Sequence, residues 1–286
     1  MRESFNREVF ESMPDTVYTG KMPKIAPAKK RITFIYKTAA AAVVTALAVS
    51  TTLLALRLKE KPEMAAMTAQ SEIVYTVNNA LQGNIVLPDS TLVTLNSGSS
   101  LRVAEDFGTG TRTVYLDGEG YFDVKKDRKV PFLIKTPQDI LVTVTGTSFN
   151  VKCFSDSPRF NLTLIKGSVE VTTRSNEVIK VSPSEEIVIN SDFHNVSKIE
   201  KPENNLMWKE GVLRFDHTPM SETIAQIERW YGVDIEVEDQ SVFASSFTAE
   251  FKHESLNEVL RLLCITSRLE YTRDGDMVKL KKSNKQ

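Results

Sequence analysis

Two carboxylates and a pair of histidines have a spacing in this sequence that suggests a catalytic or metal-binding site. Glu119 and Asp123 lie four residues apart in the stretch VYLDGEGYFDV and could be taken for the carboxylate pair of a glycoside hydrolase. No second acidic pair and no aromatic sugar platform stands near them in the sequence. Because Gly118 and Gly120 flank Glu119 and suit bends or close backbone approach, we expect structural positions here and not catalysis.

His217 and His253 recur at equivalent positions of a repeated segment, which raises a metal-binding or acid–base interpretation. Their spacing does not fit a local pair of metal ligands, and His194 is the only third histidine. Each precedes the predicted start of a helix, so a loop position is the favoured interpretation. No nucleotide-binding loop, zinc pattern or nucleophile elbow occurs in the sequence. We therefore predict no enzymatic activity, no cofactor and no metal.

The chain has two cysteines, Cys153 and Cys264, which fall in different predicted domains. A disulfide between them could form in an oxidising compartment, but we expect two buried free thiols. The net charge of -1 gives no support for nucleic-acid binding. A hydrophobic fraction of 41% is ordinary for a globular chain and suffices for one or two domains.

A long uncharged segment lies near the start of the chain. Thr38 to Leu56 contains nineteen residues without a charge, and Arg57 follows at once. As a helix these residues would be about 28 Å long, close to the thickness of the hydrocarbon core of a bilayer. A cleaved signal peptide normally has a shorter apolar region close to the N-terminus, so we predict a membrane-spanning helix over residues 38–56.

The basic residues around this segment predict its orientation. Six Lys or Arg residues lie between residues 21 and 37, and three follow between residues 57 and 61. Because Lys and Arg are retained on the cytoplasmic side, residues 1–37 form a predicted cytoplasmic arm. Residues 57–72 are then a periplasmic tether, and everything beyond them is exported. The prediction is a single-pass protein of the inner membrane.

Residues 73–196 have the pattern of an all-β domain. Short runs rich in Val, Ile, Thr, Tyr and Phe alternate with Gly, Asn, Asp and Ser, and no helical period interrupts them. The alternation in SVEVTT and EVIKVS indicates strands with one solvated face, so we predict an antiparallel or solenoid-like β domain. Asp89, Asn96 and Asn150 have side chains suited to hydrogen-bond their own turns.

The domain contains five motifs, which in chain order are LPDSTLVTLNSGSSL, VYLDGEGYFDV, PFLIKT, VTGTSFNVKCF and LIKGSVEV. In their order and spacing these motifs resemble the FecR family. The resemblance implies a FecR-type anti-sigma factor of the form common in Bacteroides-like bacteria. The motif residues, for which we expect structural roles, are Pro88, Asp89, Asn96, Gly118, Glu119, Phe122, Gly146, Thr147, Phe149, Asn150 and Gly167.

After a predicted linker over residues 197–208, residues 209–286 repeat themselves with a shift of 36 residues. Each copy has the pattern strand, helix, strand, so we predict a small α+β domain of repeated β-α-β units in which five strands form one sheet. This domain resembles the C-terminal domain of Bacteroides-type FecR proteins, which is similar to the short signalling domain of secretins and TonB-dependent transducers.

Capping residues mark both helices of the repeat. The first helix has Thr218 as its predicted N-cap, Pro219 at its first position and Gly232 just past its end. The second helix opens with a capping box formed by Ser255 and Glu258.

The resemblance implies a transmembrane regulator of an extracytoplasmic-function sigma factor. In this family the exported part receives the signalling domain of a TonB-dependent outer-membrane transporter, and the cytoplasmic part holds or assists the sigma factor. Many members also depend on site-specific proteases that cut near the span. The alternative from a different class is a membrane-anchored periplasmic binding or scaffolding protein without sigma-factor output.

The cytoplasmic arm departs from the family pattern. Family members usually have a longer helical segment, whereas RESFNREVFESMPDTVY could form one short helix, which is marginal in water without a partner. Phe5, Val9 and Phe10 are spaced to form one apolar face and are the predicted contact with the sigma factor. The alternatives are a start further upstream and loss of the sigma-factor role.

The span and the tether also bear on how a signal crosses the membrane. Hydroxyl side chains in the span can bond back to helix carbonyls and loosen the helix. The tether segment KEKPEMAAMTAQSE is polar, rich in small residues and interrupted by Pro62, so it offers an exposed site for a first cut. The sequence leaves open whether a protease acts here or whether the segment is only a spacer behind an adequate anchor.

Overall fold

The structure, a computed structural model, describes residues 50–51, 72–190 and 193–283. From residue 72 onwards these residues form a β domain followed by a smaller α+β domain. The strands of the β domain are β1 (Ile73–Val77), β2 (Gly83–Val86), β3 (Leu92–Leu95), β4 (Ser99–Val103), β5 (Arg112–Asp123), β6 (Phe132–Lys135), β7 (Leu141–Val144), β8 (Ser148–Cys153), β9 (Arg159–Lys166), β10 (Val169–Thr172), β11 (Val178–Val181), β12 (Glu185–Asn190) and β13 (Phe193–Lys198).

Pairing in the β domain is antiparallel between the described strands except for β5 and β6, which are parallel. The main path of the sheet runs β11-β10-β7-β6-β5-β8-β9-β12-β13. Strands β1 and β2 join it through β4 and β3, which both pair with β5. The all-β prediction is therefore confirmed in its antiparallel form.

Strand β5 links the two halves of this sheet. Its first half pairs with β4 and β6, and its second half pairs with β3 and β8. The change of partners falls at Gly118, where φ is 132°, a value that L side chains rarely adopt. A Cβ on Gly118 would lie 2.4 Å from the Cβ of Ser99 on β4, so any side chain here would force the strands apart.

Both halves of the sheet contribute to one apolar core. Phe122 on β5 and Phe149 on β8 stack with their ring centroids 5.4 Å apart. Phe132 on β6, from the other half, meets the edge of Phe122 at 6.2 Å. All three rings are fully buried, and Phe122 and Phe132 alternate along their strands with more exposed residues, as the period of two in the sequence predicts.

The described part of the α+β domain contains two α-helices and five strands. They are β14 (Val212–Pro219), α1 (Met220–Tyr231), β15 (Asp234–Val237), β16 (Ser246–Lys252), α2 (Leu256–Ser267), β17 (Leu269–Asp274) and β18 (Met277–Lys282), with a short 3₁₀ helix at Gln240–Ala244. The predicted repeat is confirmed, since the two helices begin 36 residues apart. Each helix ends at a residue in the left-handed conformation, Gly232 with φ 69° and Arg268 with φ 55°.

The five strands form two sheets, so the prediction of a single sheet is wrong. One sheet consists of β14 and β16, and the other has the order β15-β18-β17. Strand β15 pairs in parallel with β18, which lies more than forty residues further along the chain. The sequence pattern predicts that β15 and β18 are strands, but it does not predict that they pair with each other. Residues of both sheets and both helices share one core, in which Phe215, Phe247 and Phe251 are in contact.

The start of α1 also differs from the prediction. The helix begins at Met220, and Pro219 occupies the N-cap position without a side-chain capping bond. Thr218, the predicted N-cap, belongs to β14 and pairs with Phe247 on β16, so strand pairing takes precedence over capping. Ser255 caps α2 as predicted, because its side chain accepts a hydrogen bond from the N–H of Glu258. The Glu258 half of the predicted capping box is replaced by an ion pair, because the Glu258 carboxylate binds Arg261.

The connection between the domains is ordered by contacts that the sequence does not reveal. Where the sequence predicts a linker over residues 197–208, the structure has the end of β13 and then a 3₁₀ helix at Pro202–Glu210. This helix ends at Gly211, which has φ 76°. Trp208 on the helix is only 6% exposed, so the connection is packed against the domains and does not behave as a spacer.

The predicted membrane span lies outside the described residues apart from Ser50 and Thr51. The predicted cytoplasmic arm and the tether also lie outside them, with the exception of Glu72. Within the part of the chain that the structure describes, no helix has the length and apolar character needed to cross a bilayer.

Candidate functional site: the interface between the two domains

The carboxylate of Glu119 lies at the centre of a buried hydrogen-bond network. Its Oε2 accepts a hydrogen bond from Asn96 Nδ2, and its Oε1 accepts one from Asn150 Nδ2, each at 2.9 Å. Asp123, the other carboxylate of the sequence pair, is exposed and accepts a hydrogen bond from Ser148 at 2.7 Å. Both oxygens of Glu119 therefore hold strands and turns together.

The network leaves the β domain through Asn150. Its Oδ1 accepts a hydrogen bond of 3.2 Å from Nε1 of Trp208, and Gln82 donates to the Trp208 carbonyl oxygen at 2.7 Å. Asn150 lies in the middle of β8, so the prediction that it hydrogen-bonds its own turn is wrong. A residue in the middle of a strand has no turn of its own to hydrogen-bond. The side-chain amide of Asn150 therefore bonds two groups distant in sequence, Glu119 and Trp208.

Asp89 and Asn96 have the turn contacts that the sequence predicts. Asp89 accepts hydrogen bonds from the backbone N–H and the hydroxyl of Thr91 at 2.9 and 2.7 Å. Asn96 Oδ1 accepts one from the N–H of Ser97 at 2.8 Å. Asp89 has a further partner that the sequence does not indicate, the buried guanidinium of Arg112, at 2.7 Å. This ion pair anchors the turn after β2 to the start of β5.

The other motif residues with polar or backbone roles lie at turns. Pro88 lies in the turn between β2 and β3. Thr147 donates its hydroxyl to the Ser168 carbonyl oxygen at 2.9 Å. Gly146 and Gly167 lie on either side of this contact, and a Cβ on Gly167 would lie 2.9 Å from the Thr147 hydroxyl oxygen. Gly146, Thr147 and Gly167 therefore join the turn before β8 to the turn before β10.

A cleft of about 720 Å³ lies between the two domains. Its walls are β8, β9 and the end of β13 on one side, and β14 and α1 on the other, with the 3₁₀ helix between them. Most of the lining side chains are polar or charged. Three buried apolar residues line it without belonging to the core of either domain: Phe154, Trp208 and Val212.

Ion pairs cross this cleft in both directions. Lys152 Nζ on β8 lies 2.9 Å from Oε1 of Glu222 on α1, and Arg159 Nη1 on β9 lies 3.5 Å from its Oε2. In the opposite sense, Arg229 Nη1 on α1 lies 2.9 Å from Asp156 Oδ2. Each domain therefore offers both a cation and an anion to the other, which defines one relative orientation.

The ionisation of Glu222 is set by its position in the cleft. Burial by itself raises the pKa of this carboxyl. The charges of Lys152, Arg159 and Arg229, together with the hydrogen bond from Lys152, act in the opposite sense, and the pKa lies below its ordinary value. Glu222 is therefore a stable anion between cations of the β domain.

The 3₁₀ helix is held on the β domain by a second amide side chain. Asn205 Nδ2 donates to Thr163 Oγ1 at 2.7 Å and to Glu186 Oε1 at 3.0 Å. Glu186 also accepts a hydrogen bond from Asn161 at 2.5 Å. Together with Trp208, these contacts make the helix part of the β domain's surface.

The predicted loop position is confirmed for His253, which follows the end of β16, and is wrong for His217, which lies within β14. His217 has φ 49° and His253 has φ 56°, both in the left-handed region. His217 lies at a bulge of β14, not in a free loop, and its Nδ1 is 2.9 Å from Asp216 Oδ1. Among the described residues no group of three or more His, Cys, Asp or Glu side chains is arranged to hold a metal ion.

Both cysteines are free and buried, as predicted. Burial raises the pKa of both thiols, that of Cys264 to about 11. Cys153 in addition lies 3.5 Å from the carbonyl oxygen of Leu116. The predicted sigma-factor contact, Phe5, Val9 and Phe10, lies outside the described residues.

Comparisons with known proteins agree with this division into domains. A family model described as FecR protein matches residues 73–170, and a model described as FecR, C-terminal matches residues 212–280. Two crystal structures of an anti-sigma factor candidate from Parabacteroides distasonis, at 1.65 and 2.50 Å resolution, match with a TM-score of 0.68 and 30% sequence identity. The match covers 74% of this chain and 100% of that chain. The chain belongs to the FecR family. A comparison with curated protein sequences finds no significant match.

The residues that join the two domains of this FecR-family protein are missed by sequence reasoning. A lone tryptophan in the polar stretch PENNLMWKEG is the one available signal, and it marks Trp208 as a buried anchor. Glu222 offers no signal, because acidic residues are common in the first turn of any helix. Its partners Lys152 and Arg159 come from strands more than sixty residues earlier in the chain.

Proposed function

We propose that this FecR-family protein regulates an extracytoplasmic-function sigma factor from the inner membrane. The observation that carries the proposal is the succession of a FecR domain and a FecR C-terminal domain in one chain, matched along the full length of the anti-sigma factor candidate. Regulation of a sigma factor requires a part of the protein in the cytoplasm. Residues 1–37 are that part in this proposal.

The sigma factor binds the apolar face formed by Phe5, Val9 and Phe10. Replacing all three with alanine in the full-length chain removes the surface that stabilises a short helix on its partner. The sigma factor should then no longer co-purify with the membrane fraction, and transcription from its target promoters should change. The matched control replaces three exposed apolar residues of the β domain, Val86, Leu92 and Val178.

Undiminished co-purification of the sigma factor with the triple-alanine variant would contradict this contact. Pull-downs from the cytoplasmic and periplasmic fractions separate the proposal from a purely periplasmic role. Capture of envelope proteins without any sigma factor would favour a membrane-anchored binding or scaffolding protein.

The topology proposed is cytoplasmic at the N-terminus and periplasmic beyond residue 57. It is supported by the excess of basic residues before the apolar segment. A reporter that is active only outside the cytoplasm should be active when fused after Gln286. If only a cytoplasmic reporter is active at that position, the signal cannot run from the periplasm inward.

The α+β domain is the proposed receiver for the signalling domain of a TonB-dependent transporter. It is built of two small sheets, and it exposes apolar side chains, among them Phe243, Ile265 and Met277. Small sheets with accessible edges suit strand addition or helix docking. Calorimetry with the full-length chain in detergent should detect association with the signalling domain encoded beside this gene, and no association with any such domain counts against this receiver.

Release by proteolysis is the proposed way in which the signal leaves the membrane. The first cut falls in the polar segment at residues 59–72 of the tether, and the second falls in the hydroxyl-rich span. Induction should yield an N-terminal fragment on immunoblots, and replacing Ser50, Thr51 and Thr52 with leucine should slow its release. An intact chain during rising target transcription would mean that the uncleaved protein transmits the signal.

A further inference from the structure

The contact between the two domains has little apolar packing. The apolar cores of the domains share no residue, and the buried apolar side chains between them are Phe154, Trp208 and Val212. The side chains that meet directly across the cleft are charged or polar, and Lys152 Nζ donates to Gln226 Oε1 at 3.3 Å beside its pair with Glu222. Contacts of this kind separate more easily than an apolar interface, because water can replace each partner as the surfaces part.

Helix α1 carries the residues that make these contacts. Glu222 in its first turn meets Lys152 and Arg159, and Arg229 in its last turn meets Asp156. The guanidinium of Arg229 also lies 3.8 Å from the ring centroid of Phe154. One helix is therefore fastened to the β domain at both of its ends.

The backbone of α1 is fastened as well. The N–H of Ala80, between β1 and β2, donates to the carbonyl oxygen of Arg229 at 2.8 Å. This hydrogen bond joins the backbones of the two domains directly. It can exist only while the domains are together, so its amide reports on their contact.

The contacts of the 3₁₀ helix at Pro202–Glu210 indicate where the chain can bend between the two domains. Asn205 and Trp208 hold that helix on the β domain. Gly211 follows the helix with φ 76° and leads directly into β14 of the α+β domain. A change of backbone angles around Gly211 moves the α+β domain while the 3₁₀ helix stays in place.

We propose that Glu222 is a latch that holds the FecR domain and the C-terminal domain together, and that loss of its pairs with Lys152 and Arg159 opens the cleft between them by rotation near Gly211. The side chain of Glu222 is 19% exposed, and a carboxylate at that depth without its cations is unfavourable. The domains therefore alternate between a closed arrangement with the pairs made and an open one with the charges in water. The latch does not depend on the sigma-factor role.

Hydrogen exchange of the Ala80 amide in the purified full-length chain tests the latch. Glu222→Gln removes the charge that faces Lys152 and Arg159, and the exchange of this amide should become about fivefold faster. The matched control is Glu258→Gln, which removes a carboxylate that is paired with Arg261 within α2, away from the cleft. Exchange in β5 and α2 should stay slow in both variants, which verifies that the fold is intact.

Salt and charge reversal identify the interaction as electrostatic. Raising the ionic strength to 1 M shortens the screening length to roughly 3 Å, so Ala80 exchange should accelerate in the wild type and much less in Glu222→Gln. Glu222→Lys should accelerate it further, and adding Lys152→Glu should bring it back towards the wild-type rate. Unchanged Ala80 exchange in both Glu222 variants, with the cores still protected, overturns the proposal.

Discussion

Trp208 donates its indole N–H to the side-chain oxygen of Asn150 over 3.2 Å, and this bond ties the connection between the two domains to the centre of the FecR domain. The amide nitrogen of Asn150 donates in turn to Glu119. Each group in this series has a defined donor or acceptor role, because the tryptophan N–H can only donate. The orientation of the whole network follows from that one residue.

Glu119→Gln should lower the free energy of unfolding by about 1–3 kcal/mol, the range for leaving buried polar groups unpaired. The new amide nitrogen must face Asn96 or Asn150, which also present amide nitrogens. Neither asparagine can turn around without losing the bond that its oxygen accepts from Ser97 or Trp208.

Urea unfolding of the full-length chain measures this change. Glu105→Gln, at an exposed position of the same domain, is the control and should shift the free energy of unfolding by no more than about 0.5 kcal/mol. Equal effects of the two substitutions would show that the network adds no stability.

Gly118→Ala should be among the most destabilising small substitutions in the FecR domain. The added methyl group would lie 2.4 Å from Ser99 Cβ and 2.6 Å from its Cα, so β4 and β5 cannot keep their spacing. Gly275→Ala is the matched control, since Gly275 also has a positive φ, 60°, but has nothing within 4 Å of the added methyl.

Thermal melts of the two glycine variants compare an ordinary left-handed position with one that has both a more strained φ and a collision. The control should lose about 1 kcal/mol from the left-handed backbone alone, and Gly118→Ala should lose clearly more or fail to fold. A similar melting temperature for both would mean that β4 moves freely away from β5.

The two thiols should react only when the chain unfolds. Both are buried, and burial raises the pKa of each, so very little thiolate forms near neutral pH. A colorimetric thiol reagent should detect both cysteines in denaturant and neither within minutes in the native chain. Cys264, whose pKa is raised to about 11, should be the first to react if α2 opens locally.

The contact made by Glu222 should weaken in acid. Its pKa in the folded chain lies below the ordinary value of 4.5, so its contribution to stability is complete above about that pH and is lost as the pH falls through the lower folded pKa. The difference in free energy of unfolding between wild type and Glu222→Gln should be constant near neutrality and shrink below pH 4.5. A difference that grows in acid would contradict the lowered pKa.

Local patterns of residues are enough to predict the strands and helices of this FecR-family protein. The alternation of apolar residues predicts the strands of the β domain, and the shift of 36 residues predicts two β-α-β units with helices that end at equivalent positions. Ser255 and Gly232 identify helix ends because capping and left-handed backbone depend on the type of one residue and its immediate neighbours.

Which strands and helices pack together depends on contacts between distant segments of the chain. The division of β5 between two sets of partners, the separation of the small domain into two sheets, and the pairing of Glu222 with Lys152 all join segments far apart in the chain. When apolar residues recur at every second position, the segment is a strand with one buried face. Every such strand, however, offers the same backbone donors and acceptors to a partner. The choice among partners comes from packing the whole core at once, which no local pattern of residues contains.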